Sequence, residues 1–357
     1  MGIGIGAGPG ARRRIVAAAI TAILAASCGG TGGPAASAAA LTAAPAASAA
    51  STPKPVEHHA VKLAFSNATP QVNKIPTILA LEALKQNGHD VTSIFLQSSE
   101  DPVQAVVRGD ANFGSASSSA VFTAISQGIP VKAVMVANGP DYVMVAPTSV
   151  TAPAGLDGLR VGIHAAVSST ALYTNVMLEK YPNVHPKILV VPGSANRVQA
   201  LAAGQLDASV IQLSDIPSLE KLAPGKFHTI YDVGKERPDL MDAVIFIKAD
   251  LLQTDPTLVQ QLITAQLQAD RNAYTDTTSL TAAIVKYVPS TPEAQAAQFM
   301  KFYTDSSIWP KDGGMTDASV AATLKALVSS GLVKQAPSAS ACCDRSALDQ
   351  ALKSIGK

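Results

Sequence analysis

The chain is poor in cysteine, in net charge and in long hydrophobic runs, and each shortage excludes a class of protein. Three cysteines among 357 residues cannot form a disulfide framework, and their spacing matches no metal-binding motif. The 27 basic and 26 acidic residues nearly cancel, so there is no electrostatic case for nucleic-acid binding. The Gly-rich start lacks the lysine, the preceding strand and the following helix of a phosphate-binding loop. We therefore expect no nucleic-acid partner, no metal and no cofactor.

Residues 1–27 have the parts of a secretory signal peptide. Arg12–Arg14 precede an apolar run, Ile15–Ala26, which at about a dozen residues is too short to span a bilayer. Small residues then lead to Cys28, and residues 24–28 (LAASC) resemble a bacterial lipobox, in which the acylated cysteine becomes the mature N-terminus. The leucine lies one position earlier than usual, and ordinary signal cleavage is the alternative. We predict lipidation of Cys28 and leave Sec and twin-arginine export open.

The segment that follows Cys28 has the composition of a linker. Residues 29–55 consist of Gly, Ala, Ser, Thr, Pro and a single Leu, with Lys54 as the one charged residue, and such a sequence cannot bury a core. We predict that residues 28–57 form a flexible tether. Together with a lipid anchor, the tether would hold a globular body at the outer face of the cytoplasmic membrane.

Two stretches of the body, 95 positions apart, repeat one pattern. The triplet Val-Gln-Ala at 103–105 recurs at 198–200, and Gly109 recurs as Gly204. Each copy reads as a strand, a Ser-bearing loop, a short helix, a Gly stop and a further strand. A unit built twice predicts two similar lobes, and a cleft between lobes is a common place for a small-molecule site.

The alternation of strands and helices predicts an α/β fold in which each lobe is a mostly parallel sheet flanked by helices. Two strands, at 141–146 and 243–247, are expected to cross between the lobes and to form a hinge. Amphipathic helices at 256–274 and 316–333 are assigned to the first lobe. The predicted domains are a first lobe of residues 58–147 plus 243–340, a second lobe of residues 148–242, and a tail of residues 341–357 with a short helix.

Several motifs, in their order and spacing, resemble one family. Residues 104–114 (QAVVRGDANFG) and 124–132 (AISQGIPVK) resemble extracytoplasmic solute-binding proteins of ABC importers, in the nitrate, sulfonate, taurine and thiamine-precursor group. Residues 156–162 (LDGLRVG) and 200–208 (ALAAGQLDA) resemble the motifs of that group's second lobe. The resemblance covers about residues 60–335. It implies a two-lobed, type II periplasmic-binding-protein fold with one ligand in the cleft and no catalysis.

Polar loops at the carboxyl ends of the strands are the candidate ligand contacts, because ligands bind beyond that edge in open α/β sheets. Several of these loops lead into helix N-termini, which favour an anion or a polar oxygen. The candidate ligand-binding residues are Ser66, Asn67, Thr69, Ser99, Ser117, Ser118, Asn138, Tyr142, Ser168, Ser169, Thr170 and Asp215. For any one Ser or Thr, helix capping is at least as good an interpretation.

The charges near these loops limit the ligand. The loops contain no Arg, and Lys74 is the nearest Lys, whereas a dianion usually recruits a guanidinium group. We therefore expect a neutral, zwitterionic or singly charged ligand. Glu100 and Asp101, which have no acidic counterparts in the second copy of the repeat, place the acidic side of the cleft in the first lobe.

The leading hypothesis is a monomeric, lipid-anchored solute receptor. It would capture a small polar or singly charged organic solute, sulfonate-like or taurine-like, and deliver it to an ABC permease and its ATPase. Binding of a thiamine-precursor pyrimidine and ligand sensing on the same fold are the alternatives. An enzyme that makes a pyrimidine is the least favoured, because Cys342 and Cys343 lie outside the cleft motifs and His164 lacks a recognisable catalytic partner.

Overall fold

The computed structural model describes residues 58–289 and 291–356. The predicted signal peptide (residues 1–27), the lipidation site Cys28 and the tether (residues 28–57) lie outside the described residues.

The described residues form ten strands and fourteen helices. The strands are β1 (Ala60–Phe65), β2 (Asp90–Phe95), β3 (Phe113–Ser117), β4 (Val131–Asn138), β5 (Tyr142–Pro147), β6 (Arg160–Ile163), β7 (Lys187–Val190), β8 (Ala208–Gln212), β9 (Phe227–Asp232) and β10 (Ala243–Lys248). The helices are α1 (Ile75–Gln86), α2 (Asp101–Arg108), α3 (Ser118–Ser126), α4 (Ser169–Leu178), α5 (Ser194–Ala202), α6 (Ile216–Leu222), α7 (Val233–Glu236), α8 (Leu251–Thr254), α9 (Pro256–Thr275), α10 (Thr277–Tyr287), α11 (Glu293–Asp305), α12 (Asp317–Ser329), α13 (Ala339–Cys342) and α14 (Ser346–Ser354).

The strands form two five-stranded sheets of the same design. The first has the order β2-β1-β3-β10-β4 and the second β7-β6-β8-β5-β9. In each sheet the first three strands are parallel, and one antiparallel strand is inserted between the third strand and the edge. The last part of the sequence repeat forms β3 in the first sheet and β8 in the second, and each is the third strand of its sheet. The two copies therefore occupy equivalent positions in the two lobes.

The inserted strands show where the chain changes lobes. β10, which follows the second lobe in the chain, pairs with β3 and β4 of the first sheet. β5 pairs with β8 and β9 of the second sheet. The predicted first lobe, which included residues up to 147, is therefore wrong at that boundary: the chain crosses before β5, near Asp141. Strand alternation predicted that β5 exists but could not show which sheet it joins.

The ends of the helices follow from short-range chemistry. The Ser117 hydroxyl accepts a hydrogen bond from the Ala120 N–H (3.2 Å), and Ser168 does the same for Ala171 (3.4 Å), so each begins a helix as an N-cap. Gly109, which caps the C-terminus of α2, has a left-handed backbone with φ of 81°. Such a conformation favours glycine and explains the stop at this position.

Two predicted helix caps are placed differently. The sequence assigns Asp101 and Asn196 to the N-cap positions of α2 and α5, but both residues lie inside the first helical turn. The Asp101 carboxylate accepts from the backbone N–H of Ser98 (3.1 Å), and the Asn196 amide donates to the carbonyl of Pro192 (2.7 Å). Both side chains thus brace the loop that precedes the helix.

The larger hydrophobic core extends through both lobes, and most of its large aromatic side chains lie in the first lobe. Trp309, Tyr303, Phe65 and Phe113 are fully buried there, and the Trp309 indole N–H donates to the carbonyl of Asn73 (3.0 Å). The tail contributes to this core, because α14 packs against α9 and β4. Among the described residues, no helix combines the length and the apolar character needed to cross a membrane.

Candidate functional site

A small cavity lies between the two lobes, at the carboxyl ends of the parallel strands. Its volume is about 40 Å³, which is room for only a few water molecules. First-lobe loops and the second-lobe segment before α4 both line it. A solute of more than a few heavy atoms can enter only if the lobes move apart, as hinged lobes do.

The N-termini of two helices, α3 in the first lobe and α4 in the second, contribute hydroxyl-bearing residues to the lining of this cavity. Ser117 lines the cavity and accepts from the Ser119 hydroxyl (3.2 Å). On the opposite side, Ser168 and Thr170 share a hydrogen bond of 2.8 Å, and Thr170 accepts from the backbone N–H of His164 (2.7 Å). Two positive helix ends and orientable hydroxyls favour an anionic or polar oxygen of a ligand.

Lys74 is the basic side chain of the cavity lining. It precedes α1, is 4% exposed, and its ammonium group donates one hydrogen bond of 2.7 Å to the Asn138 amide oxygen. Burial lowers the pKa of Lys74 from its usual value, while Asp242 and Asp141 act in the opposite direction. An ammonium group has three donors, so Lys74 retains donors for an anionic group in the cavity.

Two buried aspartates lie where the chain crosses between the lobes. Asp242, directly before β10, lines the cavity and accepts hydrogen bonds from Asn138 (2.8 Å) and from the Tyr173 hydroxyl of α4 (2.9 Å). Burial raises the pKa of Asp242, and the Lys74 charge partly offsets this. The chain Lys74–Asn138–Asp242–Tyr173 therefore connects the two lobes beneath the cavity.

Asp141, directly before β5, has no exposed surface. Its carboxyl group accepts from the Tyr303 hydroxyl (3.1 Å), and its other oxygen has no hydrogen-bond partner. Burial, and then the neighbouring Asp242, raise the pKa of Asp141 to about 8, although Lys74 opposes the shift. At neutral pH the carboxyl group is therefore mostly protonated, which matches the unpaired oxygen.

His164 reaches from the second lobe to the first. Its Nδ1 accepts from the backbone N–H of Gly193 (2.9 Å), and a hydrogen bond joins it to the backbone of Gln97 in the first lobe. Burial, and then the charge of Arg197, lower the pKa of His164 to about 4. The ring is therefore neutral at neutral pH. Its hydrogen bonds connect loops of the two lobes, so its contacts are those of a residue that positions these loops.

A second buried cation lies behind Tyr142. The Arg197 guanidinium of α5 donates to the carbonyls of Val210 (2.9 Å) and Val191 (3.1 Å) and is 1% exposed. Burial lowers the pKa of Arg197 to about 10, while Tyr142 and Asp215 act in the opposite direction. In the sequence, Arg197 comes after the polar loops, which themselves contain no Arg. The fold nevertheless brings Arg197 near Tyr142.

The predicted site residues divide into two groups. The following ones line the cavity: Ser66, Asn67, Ser99, Ser117, Tyr142, Ser168, Ser169 and Thr170. The others lie elsewhere. Thr69 is exposed, Ser118 donates to the Met241 carbonyl (2.6 Å), Asn138 is beneath the lining, and Asp215 is half-buried near Arg197.

The acidic side of the cleft differs from the expectation. Neither Glu100 nor Asp101 lines the cavity, and its carboxyl group is that of Asp242, which lies at a crossing between the lobes. The sequence reasoning did not select this residue, nor did it select Gln71, Asn73, Lys74, His164 or Ala243 as site residues. A signal was available: Lys74 and Asp242 are charged residues that directly precede a strongly apolar helix and strand.

Among residues 58–289 and 291–356, no group of three or more His, Cys, Asp or Glu side chains has an arrangement that could hold a metal ion.

The model of one protein family matches more than half of the chain. This family is described as NMT1/THI5 like, and the match covers residues 75–277. No curated protein matches the sequence.

Three of the solved structures with the same architecture are of bacterial binding proteins. The ligand-binding component of an ABC-type import system from Staphylococcus aureus, with zinc bound, has a TM-score of 0.69 at 14% identity, over 83% of this chain and 99% of that one. The alkanesulfonate-binding protein SsuA from Xanthomonas axonopodis pv. citri, bound to MOPS, gives 0.65 at 18% identity, over 81% and 99%. The nitrate-binding protein NrtA from Synechocystis gives 0.65 at 13% identity, over 84% and 89%. The predicted α/β fold, a two-lobed periplasmic-binding-protein fold in which each lobe is a mostly parallel sheet flanked by helices, is confirmed, whereas the two strands predicted to cross between the lobes lie within the sheets.

Proposed function

Because the chain belongs to the NMT1/THI5-like family, we propose that it is the lipid-anchored solute-binding component of an ABC importer. The observation that carries the proposal is the interlobe cavity, where a buried lysine faces two helix N-termini. When the lobes move apart this cavity can widen to take one small solute, and closure of the lobes around it gives a shape that a permease can recognise. The ATPase of the importer would supply the energy.

The solute we propose is a small organic molecule with one negative charge, such as a sulfonate, with or without an amine. Lys74 and the hydroxyl-bearing N-termini of α3 and α4, which line the cavity, would provide donors for the anionic group. The Asp242 carboxyl disfavours a second negative charge in the same cavity and can accept from an amine. A zwitterion such as taurine has an anionic group for the donors and an amine for the Asp242 carboxyl.

A ligand panel tests this assignment. The full chain carrying Cys28→Ser would be melted with taurine, ethanesulfonate, nitrate, an aminopyrimidine and inorganic phosphate. A solute at 100 times its dissociation constant adds about 2.7 kcal/mol, which raises the melting temperature by roughly 5 °C. We expect taurine or ethanesulfonate to give the largest rise. Preference for phosphate would contradict the proposed single charge, and preference for the aminopyrimidine would favour the thiamine-precursor alternative.

The lipid anchor is tested separately. We expect Cys28→Ser to abolish labelling by palmitate and to move the exported protein from the membrane fraction to the soluble fraction, because the thiol is the acylated group. Cys342→Ser is the matched control and should keep both the label and the membrane location. A labelled, membrane-bound Cys28→Ser protein would refute the predicted anchor without affecting the proposed solute site.

A further inference from the structure

The two cysteines of the C-terminal segment form a close pair outside the cavity. Cys342 ends α13 and Cys343 follows it, and their sulfur atoms are 3.0 Å apart. Cys342 is buried, whereas Cys343 is partly exposed. Cys343 is therefore the residue of the pair with more surface open to solvent.

The pair lies on a segment that covers a sheet edge. β4 is the last strand of the first sheet, and its outer side pairs with no other strand of that sheet. Cys343 forms a parallel bridge with Ala133 of β4, and the N–H of Asp344 donates to the Ala133 carbonyl (2.9 Å). Lys132 adds a hydrogen bond to the carbonyl of Ser340 (3.1 Å). The segment thus occupies backbone groups that an open edge would expose.

The surroundings favour thiolate chemistry at this pair. A hydrogen bond from Cys343 lowers the pKa of Cys342, with a further contribution from the Lys132 charge. The same hydrogen bond raises the pKa of Cys343. The thiolate is the reactive form in disulfide exchange, so a proton shared between two adjacent sulfurs prepares one of them for attack.

We propose that Cys342 and Cys343 are a redox site that closes to a vicinal disulfide by exchange with a small-molecule disulfide. One cysteine thiolate attacks a sulfur of the reagent RSSR, which breaks its S–S bond, forms a mixed disulfide and releases RS⁻. The second cysteine loses its proton and displaces the second RS⁻, which forms the Cys342–Cys343 bond. The pair loses two electrons and two protons, and RSSR becomes two RSH.

The reverse reaction should also be easy. Consecutive α-carbons are about 3.8 Å apart, less than the separation of about 4.4–6.8 Å found in ordinary disulfides. A strained disulfide is reduced more readily than a relaxed one. The site should therefore switch with the redox state of its surroundings, which distinguishes it from a permanent structural crosslink.

Peptide mapping of the full chain carrying Cys28→Ser tests the proposal. After incubation with oxidised glutathione, free thiols are blocked with N-ethylmaleimide, and trypsin releases residues 335–345 (QAPSASACCDR), which contain both cysteines. We expect this peptide to lose the mass of two hydrogen atoms and to carry no blocking group. After treatment with reduced glutathione, it should carry two blocking groups.

Other outcomes are equally clear. Two blocked thiols after oxidation, a stable glutathione adduct, or a crosslink between two chains would each overturn the proposal. Cys342→Ser leaves Cys343 without a resolving thiol and should accumulate the glutathione adduct that the unchanged pair resolves. None of these measurements depends on ligand binding in the cavity, so their outcome is independent of whether the proposed solute is correct.

Discussion

Replacement of Lys74 by methionine is expected to lower the affinity for taurine or ethanesulfonate by about 100-fold or more. Lys74 is buried, lines the cavity, and uses one hydrogen bond to Asn138. An anionic group bound there has lost most of its water, and truncation of one member of such a pair costs roughly 2–5 kcal/mol. Isothermal titration calorimetry on the full chain carrying Cys28→Ser measures the loss.

Lys62→Met is the matched control for this experiment. Lys62 lies on β1 of the same lobe, but it is exposed and does not line the cavity. We expect its affinity to equal that of the unchanged chain. The Lys74→Met protein should still fold, because methionine fills a similar volume, Asp141 is already mostly protonated at neutral pH, and Asp242 can take up a proton. Unchanged affinity in a folded Lys74→Met protein would contradict the role of Lys74 in anion binding.

The helix ends at the cavity could be predicted from the sequence because capping is local. A serine hydroxyl bonds to an N–H group three residues later, so Ser117 and Ser168 mark helix starts without knowledge of the fold. The repeat then indicated two similar lobes, and parallel strands bring their carboxyl ends to one edge. Local rules and one long-range repeat were enough to predict that these hydroxyl-bearing residues lie together at the edge of the two sheets.

The charged floor of the cavity could not be predicted in the same way. Lys74, Asn138 and Asp242 come from three distant parts of the chain and are joined by side-chain hydrogen bonds. Asn138 was among the predicted residues because it follows a strand, but in the sequence Lys74 and Asp242 are isolated charged residues beside apolar segments, and most such residues are solvated. Their burial depends on where the two crossing segments lie.

The assignment of β5 failed for a related reason. The sequence of β5 is apolar, so by itself it is equally suitable for a position between two strands in either sheet. The structure pairs it with β8 and β9, and places β10 at the matching position in the first sheet. In each lobe, one strand therefore directly follows a crossing: β5 in the second lobe and β10 in the first. Asp141 and Asp242 directly precede these strands, so they lie at the crossings.

Asp141→Asn is expected to make the protein more resistant to unfolding, by an amount that grows by about 2–4 kcal/mol between pH 5 and pH 8. The pKa of Asp141 is raised from 3.8 to about 8, mainly by burial. Between these values the folded state keeps the proton and the unfolded state releases it. Rising pH therefore favours unfolding through this group, and a neutral asparagine removes the effect.

Asparagine also fits the contacts of the protonated carboxyl group. Its amide oxygen can accept from the Tyr303 hydroxyl, as the Asp141 carboxyl does. His164 contributes the opposite slope, since its pKa is lowered to about 4 and stability rises with pH between about 4 and its unfolded value near 6.5. The contribution of His164 is the same in the Asp141→Asn protein and in the unchanged chain, so it cancels when their free energies of unfolding are subtracted.

Urea denaturation followed by circular dichroism at pH 5, 6, 7 and 8 provides the free energies of unfolding. Asp250→Asn is the control, because Asp250 is exposed and pairs with Lys248 at the surface (3.3 Å); its difference from the unchanged chain should not vary with pH. A constant difference for Asp141→Asn would mean that Asp141 is ionised in the folded protein at neutral pH. With Asp141 protonated, an ionised Lys74 and an ionised Asp242 carry opposite charges at the floor of the cavity, which is the basis on which we propose a solute with one negative charge.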